Sequence, residues 1–315
     1  MNFDVPILFI TYKRFRTAIR VFNQIKIIKP SKLYFVSNQA KTKQDIKHVK
    51  KVRNLLKKID WDCKVMLLYQ KEHLPVSKSI PSAIDFLFKH EKHGIILEDD
   101  CLPSKDFFLF CKKMLKKYKN NKKINAICGS RLCENDDEAY LSKYNHVWGW
   151  ATWKRSWKFF DPEIKFWPKF KKSRKWDLIH SNKIEKSYWN NIFNKTYKKK
   201  LNTWDYAWTA CAWYKNQLSI IPPRSLIQNI GNGPDATWTV SKKKRILKKE
   251  IHINKDIVYA QIKRNKILDK EVFLNHFNGK YYGYNDRLIY ILKTLIKDPL
   301  TFYYKCKRIF LSFTK

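Results

Sequence analysis

The stretch Gly94-Ile95-Ile96-Leu97-Glu98-Asp99-Asp100 places three consecutive carboxylates directly after a short apolar run. Such a run predicts a buried strand. Carboxylates at its end lose hydration and repel one another unless a cation compensates them. A hard divalent cation shared with phosphate oxygens is one such partner, and a solvated acidic turn is the alternative. The position at a strand end, in a chain poor in acidic residues, favours the metal site.

Outward from this strand, the first half of the chain alternates between apolar runs and amphipathic stretches. Strands are predicted at residues 5–10, 32–37, 63–69 and 94–97, and helices over residues 15–28, 41–58 and 80–90. Continuous apolar strands that alternate with helices predict an α/β fold, with a mostly parallel central sheet flanked by helices on both faces. Ligands bind beyond the carboxyl ends of such strands, so we expect the site at the ends of the first, second and fourth strands.

The turn Thr11-Tyr12-Lys13-Arg14 follows the first strand and combines hydrogen-bond donors with an aromatic ring. A strand-to-helix turn of this kind can hold a base and a ribose, and the helix N-terminus behind it favours phosphate. Lys78 and Ser79, which open the helix after the third strand, are a second candidate pair on the phosphate side. Neither pattern is specific by itself.

Residues 144–213 are rich in tryptophan. Most of these rings are expected in the core, but aromatic faces also stack on sugar rings, and Trp148 and Trp150 are the candidates for the wall of an acceptor site. Asp205 lies between aromatic residues, and loss of hydration there would raise its proton affinity towards that of a general base. An N-cap of a helix over residues 206–214 is the equally compatible reading.

A glycine-containing loop over residues 229–237, Asn-Ile-Gly-Asn-Gly-Pro-Asp-Ala-Thr, follows another apolar run. Such a loop can close over a diphosphate with its backbone N–H groups. As a lone pattern it is more simply an ordinary turn.

The chain is strongly basic, because 66 Lys and Arg against 27 Asp and Glu give a formal charge of +39. Such a field attracts polyanions, although the Lys-, Ile-, Asn- and Tyr-rich composition also fits the bias of an AT-rich genome. Seven cysteines without a C-x-x-C pair favour a reduced cytosol. No secretory signal and no apolar run of about 18–20 residues is present. These features predict a cytoplasmic protein, with a peripheral position on the inner face of the plasma membrane left open.

The charge and the interleaved aromatic residues also pass a first screen for nucleic-acid binding. No helix-turn-helix, zinc-ligand spacing or RNP-like aromatic strand accompanies them. An acidic triplet without a metal would moreover repel phosphates. A nucleic-acid-binding protein or a metal-dependent nuclease is therefore the alternative class, and nucleic acid is disfavoured as a partner.

Five segments, taken together, resemble a known family: T-Y-K-R, I-I-L-E-D-D-C-L-P-S-x-D-F-F, W-G-W-A-T-W-K-R-S-W, W-D-Y-A-W and N-I-G-N-G-P-D-A-T. They resemble bacterial GT-A glycosyltransferases of polysaccharide and lipooligosaccharide biosynthesis and, more distantly, the inverting N-acetylglucosaminyltransferase I group. The resemblance covers about residues 5–240. It implies a GT-A catalytic domain over residues 1–240, with a nucleotide-binding half over about 1–105 and an acceptor half over about 106–240.

Residues 241–315 would follow this domain as a basic C-terminal extension. Apolar residues at helical spacing, with Lys and Arg between them, predict a helical tail within residues 286–315. Contact with an anionic membrane surface and packing on the catalytic domain are both compatible with this pattern.

The resemblance also implies the reaction: metal-dependent transfer of a sugar from a nucleotide-sugar donor to a hydroxyl of a glycan or a lipid-linked acceptor. Asp100 would ligate Mn²⁺ (or Mg²⁺), Asp99 would contact the ribose, and Glu98 would lie against the transferred sugar. Asp205 would be the general base of an inverting mechanism. No other residue argues the stereochemistry, so retention stays open.

The remaining donor contacts follow from the same resemblance. Arg14 and Thr11 would flank the nucleotide, and Gly231 and Gly233 would belong to a loop that closes on bound donor. The predicted nucleotide-sugar-binding set is completed by Tyr12, Asn38 and Lys78.

Two departures from the family pattern bear on these roles. The second strand ends in Ser37-Asn38-Gln39, where relatives often carry an Asp-Gly that reads uracil, so the identity of the nucleotide stays open. Trp238 stands where many bacterial relatives have the histidine of A-T-H-T, which removes a possible histidine contact.

Overall fold

A computed structural model describes residues 3–133, 138–231 and 262–282, together with residues 295, 296, 299 and 303. The fold and the site are those of these residues. Within them, no helix is both long and apolar enough to cross a bilayer.

The first half alternates strands and helices as the sequence predicts. Its elements are β1 (Ile7–Thr11), α1 (Phe15–Ile28), β2 (Lys32–Ser37), α2 (Lys43–Arg53), β3 (Lys64–Tyr69), α3 (Val76–His90), β4 (His93–Glu98), β5 (Cys101–Pro103) and α4 (Lys105–Lys117). The predicted helix over residues 41–58 is shorter, because the chain tightens into a 3₁₀ turn at Asn54–Lys58. The helix α3 begins at Val76, earlier than predicted, and includes Pro81 in its first turns.

The second half supplies shorter elements. They are β6 (Ile124–Cys128), β7 (Tyr140–Ser142), β8 (Trp150–Trp153), α5 (Lys154–Trp157), α6 (Trp167–Phe170), α7 (Arg174–Ile179), α8 (Lys183–Tyr197), α9 (Asp205–Tyr214), β9 (Leu218–Ile221), β10 (Ile227–Asn229) and α10 (Lys266–Asn275).

Eight strands form one sheet in the order β3-β2-β1-β4-β8-β6-β9-β7. The four strands β3, β2, β1 and β4 are parallel neighbours. The strands β6 and β9 run in the same direction, whereas β8 and β7 are antiparallel to their neighbours. This mostly parallel, helix-flanked sheet confirms the predicted α/β class. The strands β5 and β10 form a separate antiparallel pair.

Alternate residues of β1, β2 and β4 enter two different cores. Phe9, Phe35 and Leu97 point to a core that includes residues of α1 and α4. Leu8 and Ile96 point to the opposite core, which contains α3 and four tryptophans: Trp150, Trp157, Trp204 and Trp208. Burial on both faces explains why these strands read as continuous apolar runs.

A third core lies in the second half and includes the segment after the undescribed residues 232–261. It contains Leu268, Val272 and Phe273 of α10 next to the tryptophans of α7 and α8. Asp269 of α10 accepts hydrogen bonds from the Ser142 hydroxyl at 2.5 Å and from Arg264 at 3.2 Å. This stretch of the predicted extension therefore packs on residues of α7 and α8, whereas residue 240 and most of residues 286–315 lie outside the described residues.

The position of Trp150 corrects one sequence prediction. Its side chain is only 1% exposed, and its ring stacks on Trp204 at a centroid distance of 5.7 Å. Because side chains alternate along β8, Trp150 faces the tryptophan core instead of a ligand cavity. It is not a wall of an acceptor site.

We predict that Trp150→Ala lowers the free energy of unfolding by about 3–5 kcal/mol, because it empties a large volume in a closely packed core. Urea unfolding followed by fluorescence measures the change. Leu178→Ala is the matched control, since Leu178 is 73% exposed and should cost less than about 0.5 kcal/mol. Equal losses in the two variants would contradict the core assignment.

Candidate active site

The acidic triplet lies where β4 ends, beside the turn that follows β1. Glu98 is the last residue of β4, and the parallel pairing of β4 with β1 brings that turn alongside Asp99. The Tyr12 backbone N–H donates to Asp99 Oδ2 at 3.1 Å. The Arg14 guanidinium bridges both aspartates, with Nη2 2.5 Å from Asp99 Oδ1 and Nη1 2.9 Å from Asp100 Oδ2. We call Glu98, Asp99 and Asp100 the acidic rim.

The small β5–β10 ladder closes the other side of the rim. The Ile230 backbone N–H donates to the Asp100 carbonyl at 2.8 Å. Gly231 then passes so close to the Asp100 carboxylate that a Cβ atom on it would lie 2.2 Å from Oδ2. Only glycine allows this approach, so Gly231 confines the Asp100 side chain.

The acidic rim opens into a cavity of about 740 Å³. On the side of the first half, the cavity is lined by the β1 turn and by the loop before α3. On the side of the second half, it is lined by Trp148, Asn202, Thr203, Asp205, Tyr206 and His276. The cavity therefore joins the ends of the parallel strands to the start of α9.

Most of the residues predicted from the sequence meet in this cavity. Those that line it are Thr11, Tyr12, Arg14, Asn38, Glu98, Asp99, Asp100, Trp148, Asp205 and Gly231. Lys78 is exposed and is not among the lining residues. Gly233 and Trp238 lie outside the described residues.

The lining residues that were not predicted include His73, Thr203, His276 and Phe277. His73 follows the end of β3, so the rule that ligands bind at strand ends could have found it. His276 and Phe277 follow α10, beyond the undescribed segment. No signal in the sequence links them to residues so far away in the chain.

The side of the cavity formed by the β1 turn and the loop before α3 is held by contacts among its own residues. The Tyr12 ring lies 5.2 Å from the His73 ring, and the Tyr12 hydroxyl donates to Asp45 Oδ2 at 3.0 Å. Asn38 Nδ2 donates to the Leu74 carbonyl at 2.8 Å, while Asn38 Oδ1 accepts from the Leu74 N–H at 3.1 Å. These bonds fix two rings and one loop around an open space next to the rim.

Asp205 is the first residue of α9, and the preceding residue occupies the capping position without a side-chain cap bond. The Thr203 hydroxyl donates a hydrogen bond to Asp205 Oδ1. Burial raises the pKa of Asp205, and the Thr203 hydrogen bond opposes the rise only in part. A half-buried carboxylate with raised proton affinity, facing a cavity, is suited to accept a proton.

The acidic rim carries more negative charge than its neighbours compensate. Burial raises the pKa of Glu98, with further increases from Asp100, Asp99 and Asp205 and a decrease from Arg14. Burial likewise raises the pKa of Asp99, against the opposing charge of Arg14. Arg14 supplies one positive charge for three carboxylates, which leaves a deficit of about two charges when all are ionised.

A divalent cation fits that deficit of charge if a bound ligand supplies some of the atoms that coordinate it. Within residues 3–133, 138–231 and 262–282, no group of three or more His, Cys, Asp or Glu residues is arranged to hold a metal ion. Asp100 is the more open of the two aspartates, with a side chain 15% exposed against 3% for Asp99. A Mg²⁺-like ion is commonly held by one or two carboxylates together with substrate phosphates and water. The residues therefore fit a metal shared with a bound diphosphate.

Comparison with known proteins leaves the family open. No family model and no curated protein sequence matches the chain significantly. The solved structure of an apo UDP-glucose pyrophosphorylase aligns with 72% of this chain and 93% of its own, at 9% identity and a TM-score of 0.36. HddC from Yersinia pseudotuberculosis aligns with 53% of this chain and 86% of its own, at 13% identity and a TM-score of 0.33.

A 4-diphosphocytidyl-2C-methyl-D-erythritol synthase from Anaerococcus prevotii gives a similar result, with 61% of this chain and 83% of its own aligned at 12% identity and a TM-score of 0.33. With TM-scores below 0.5, none of these alignments bears on the activity of this chain.

We predict that Glu98→Gln makes the protein more stable than wild type at alkaline pH. Burial raises the pKa of Glu98 from 4.5 to about 8, so the folded protein keeps a proton that the unfolded chain releases across this window. Stability from this group is therefore full below the window and is lost as the pH rises through it. Glutamine has no proton to lose.

Thermal unfolding in the presence of a chelator tests this prediction. The melting temperature of Glu98→Gln should exceed that of wild type by about a few degrees at pH 8, and the difference should shrink towards about pH 5. The exposed Glu72 provides the control variant, Glu72→Gln, which should follow wild type at both pH values. A constant difference at all pH values would show that the effect is not protonation.

Proposed function

We propose that this protein transfers a sugar from a nucleotide-sugar donor to a hydroxyl of a glycan or a lipid-linked acceptor, with inversion and with Asp205 as the general base. One observation carries the proposal: a single cavity brings together the acidic rim, which suits a metal-bound diphosphate, and a half-buried carboxylate, Asp205, on a different element. The rim would hold the diphosphate that leaves, and Asp205 would accept a proton on another side of the same cavity. This arrangement suits the transfer of a group between two bound substrates.

The donor would lie along the β1 turn and the loop before α3. The Tyr12 and His73 rings give apolar faces against which a base can pack. Thr11 and Asn38 stand at the ends of β1 and β2, where ribose hydroxyls would find polar partners. Arg14 carries a planar array of donors that matches a phosphate. Gly231 leaves room for the backbone to approach the diphosphate.

The acceptor would lie on the other side of the cavity, against aromatic faces. Trp148 packs edge-on against His276 at 6.1 Å between ring centroids, and His276 in turn contacts Phe277 at 4.9 Å. Aromatic faces with a few polar groups suit the apolar face and the hydroxyls of a sugar ring. We assign Trp148 and Tyr206 to the wall of the acceptor site.

Asp205 would act on the acceptor hydroxyl. Its burial keeps proton affinity high, while the Thr203 hydroxyl orients the carboxylate and leaves its second oxygen for the acceptor. As the acceptor oxygen attacks the anomeric carbon, Asp205 takes the proton and the sugar–phosphate bond breaks on the opposite face. Glu98 would lie against the transferred sugar, near enough to Asp205 for their charges to interact.

The leaving diphosphate gains negative charge in this reaction. Mn²⁺ (or Mg²⁺) bound to Asp100 would supply the compensating charge. Arg14 and the backbone near Gly231 would hold the same group by hydrogen bonds. Asp99, which is buried and bonded to the β1 turn, would orient both the turn and the ribose.

The cellular setting belongs to the same proposal. A lipid-linked acceptor and the basic chain together favour a cytoplasmic enzyme that works at an anionic membrane surface. The tail that would make this contact lies largely outside the described residues.

We predict that the protein hydrolyses one class of nucleotide sugar slowly in the presence of Mn²⁺, because water can replace the acceptor. A screen of UDP-, CMP-, GDP- and dTDP-sugars, with Mn²⁺ or with a chelator, measures nucleotide release. Asp100→Ala should abolish the Mn²⁺-dependent release, whereas Asp62→Ala, at an exposed acid, should retain it.

A short DNA duplex in a parallel assay separates the alternative class. Cleavage of the duplex without turnover of any nucleotide sugar would overturn the proposal and favour a metal-dependent nuclease.

We predict that Asp205→Asn slows sugar transfer by about 10²–10⁴-fold, the usual range for loss of general-base assistance. Donor affinity should stay within about twofold, because Asp205 lies across the cavity from the donor site. Single-turnover transfer to short oligosaccharides and octyl glycosides gives the rate, and calorimetry gives the donor affinity.

The exposed Asp177 offers a matched control, since Asp177→Asn removes an acid outside the cavity and should leave the rate unchanged. Transfer by Asp205→Asn at the wild-type rate would remove Asp205 from the mechanism.

A further inference from the structure

Arg14 has an arrangement that the proposed reaction alone does not require. Its guanidinium is held by two carboxylates from adjacent residues, at 2.5 Å from Asp99 and 2.9 Å from Asp100. Both bonds are charge-assisted, and the second aspartate is the one that a metal would use. In this state the acidic rim already has a cation bound to it.

The Arg14 guanidinium occupies one side of the Asp100 carboxylate. One carboxylate oxygen, Oδ2, accepts from Arg14 Nη1 at 2.9 Å, and the absence of a side chain at Gly231 leaves space on its other side. The other oxygen, Oδ1, lies 3.5 Å from the Cys101 thiol. A divalent ion binds a carboxylate oxygen at about 2.0–2.2 Å. At Oδ2 it would therefore be placed next to a fixed guanidinium and repelled by it.

We infer that Arg14 competes with the divalent cation for Asp100, so that the metal binds this protein appreciably only together with an anionic ligand that draws Arg14 away. A diphosphate is such a ligand, because its oxygens match the guanidinium donors as well as carboxylates do. Arg14 then moves its bonds from Asp100 to phosphate, and Asp100 becomes available. Metal and diphosphate thus favour each other's binding, and this coupling is reciprocal.

This role makes Arg14 a positioning residue, since it controls when the metal ligand is free. It rests on the metal site of the proposed function, but it can be tested without a nucleotide sugar. It also explains how the acidic rim stays folded when no ligand is bound, because isolated buried carboxylates would be costly.

The test is a titration of full-length protein with Mn²⁺ alone, in which electron paramagnetic resonance measures the free ion. We expect weak binding by wild type and at least tenfold tighter binding by Arg14→Gln. Lys26→Gln is the charge-matched control: Lys26 pairs with Asp60 at 2.6 Å, and neither residue lines the cavity. It should bind Mn²⁺ as wild type does.

A double variant, Arg14→Gln with Asp100→Asn, locates the bound ion. It should lose the gained affinity if the ion sits on Asp100. Arg14→Lys provides a second, better-folded probe, because a single ammonium cannot bridge both aspartates; its affinity should lie between those of wild type and Arg14→Gln.

Two results would overturn the inference. One is that neither Arg14 variant binds Mn²⁺ more tightly than wild type, and the other is that the gained affinity survives loss of Asp100. The outcome is independent of the donor screen. A failed titration with a successful donor screen removes only the role of Arg14, and the reverse removes only the transferase proposal.

Discussion

Compensation of the three carboxylates at the end of β4 is the constraint on which the rest of the site depends. The parallel pairing of β1 with β4 brings the β1 turn to the rim, where the Tyr12 N–H and the Arg14 guanidinium both meet Asp99. The β5–β10 ladder must then approach from the other side, which requires a residue without a side chain at Gly231. Loss of the contacts from Tyr12 and Arg14 would leave the buried Asp99 carboxylate uncompensated. A side chain at position 231 would displace the Asp100 carboxylate.

The second half of the molecule positions Asp205 across the cavity from the acidic rim. The tryptophan core beneath the sheet does this by packing β8 against the start of α9, through Trp150 stacked on Trp204 and within 5.9 Å of Trp208. Large rigid rings leave few alternative arrangements. Asp205 thus begins a helix whose first turn packs into the tryptophan core.

The sequence reveals the central strands well because each is buried on two faces and reads as an apolar run, as Ile95-Ile96-Leu97 does. It reveals the rim for the same reason, since charge next to such a run is conspicuous. The three-residue strands β5 and β10 are too short to leave a pattern, yet they position Gly231. Trp150 was misassigned because burial of a tryptophan depends on which face of β8 it occupies, and the sequence around it does not alternate clearly.

The cation that pairs with the acidic rim could not be identified from the sequence. Electrostatics predicts that a cation must meet the carboxylates, but a chain with 66 Lys and Arg offers too many candidates to choose among. The fold makes the choice, because the parallel pairing of β1 with β4 brings the turn after β1, which carries Arg14, to the rim. The overall charge of +39 attracts any polyanion to the surface without distinguishing one from another. Discrimination has to come from the rim itself, where net negative charge repels an anion unless it brings a metal or engages Arg14. Under the proposed function, a strongly basic protein with a locally acidic site would gather many anions and retain in its cavity those that carry a diphosphate.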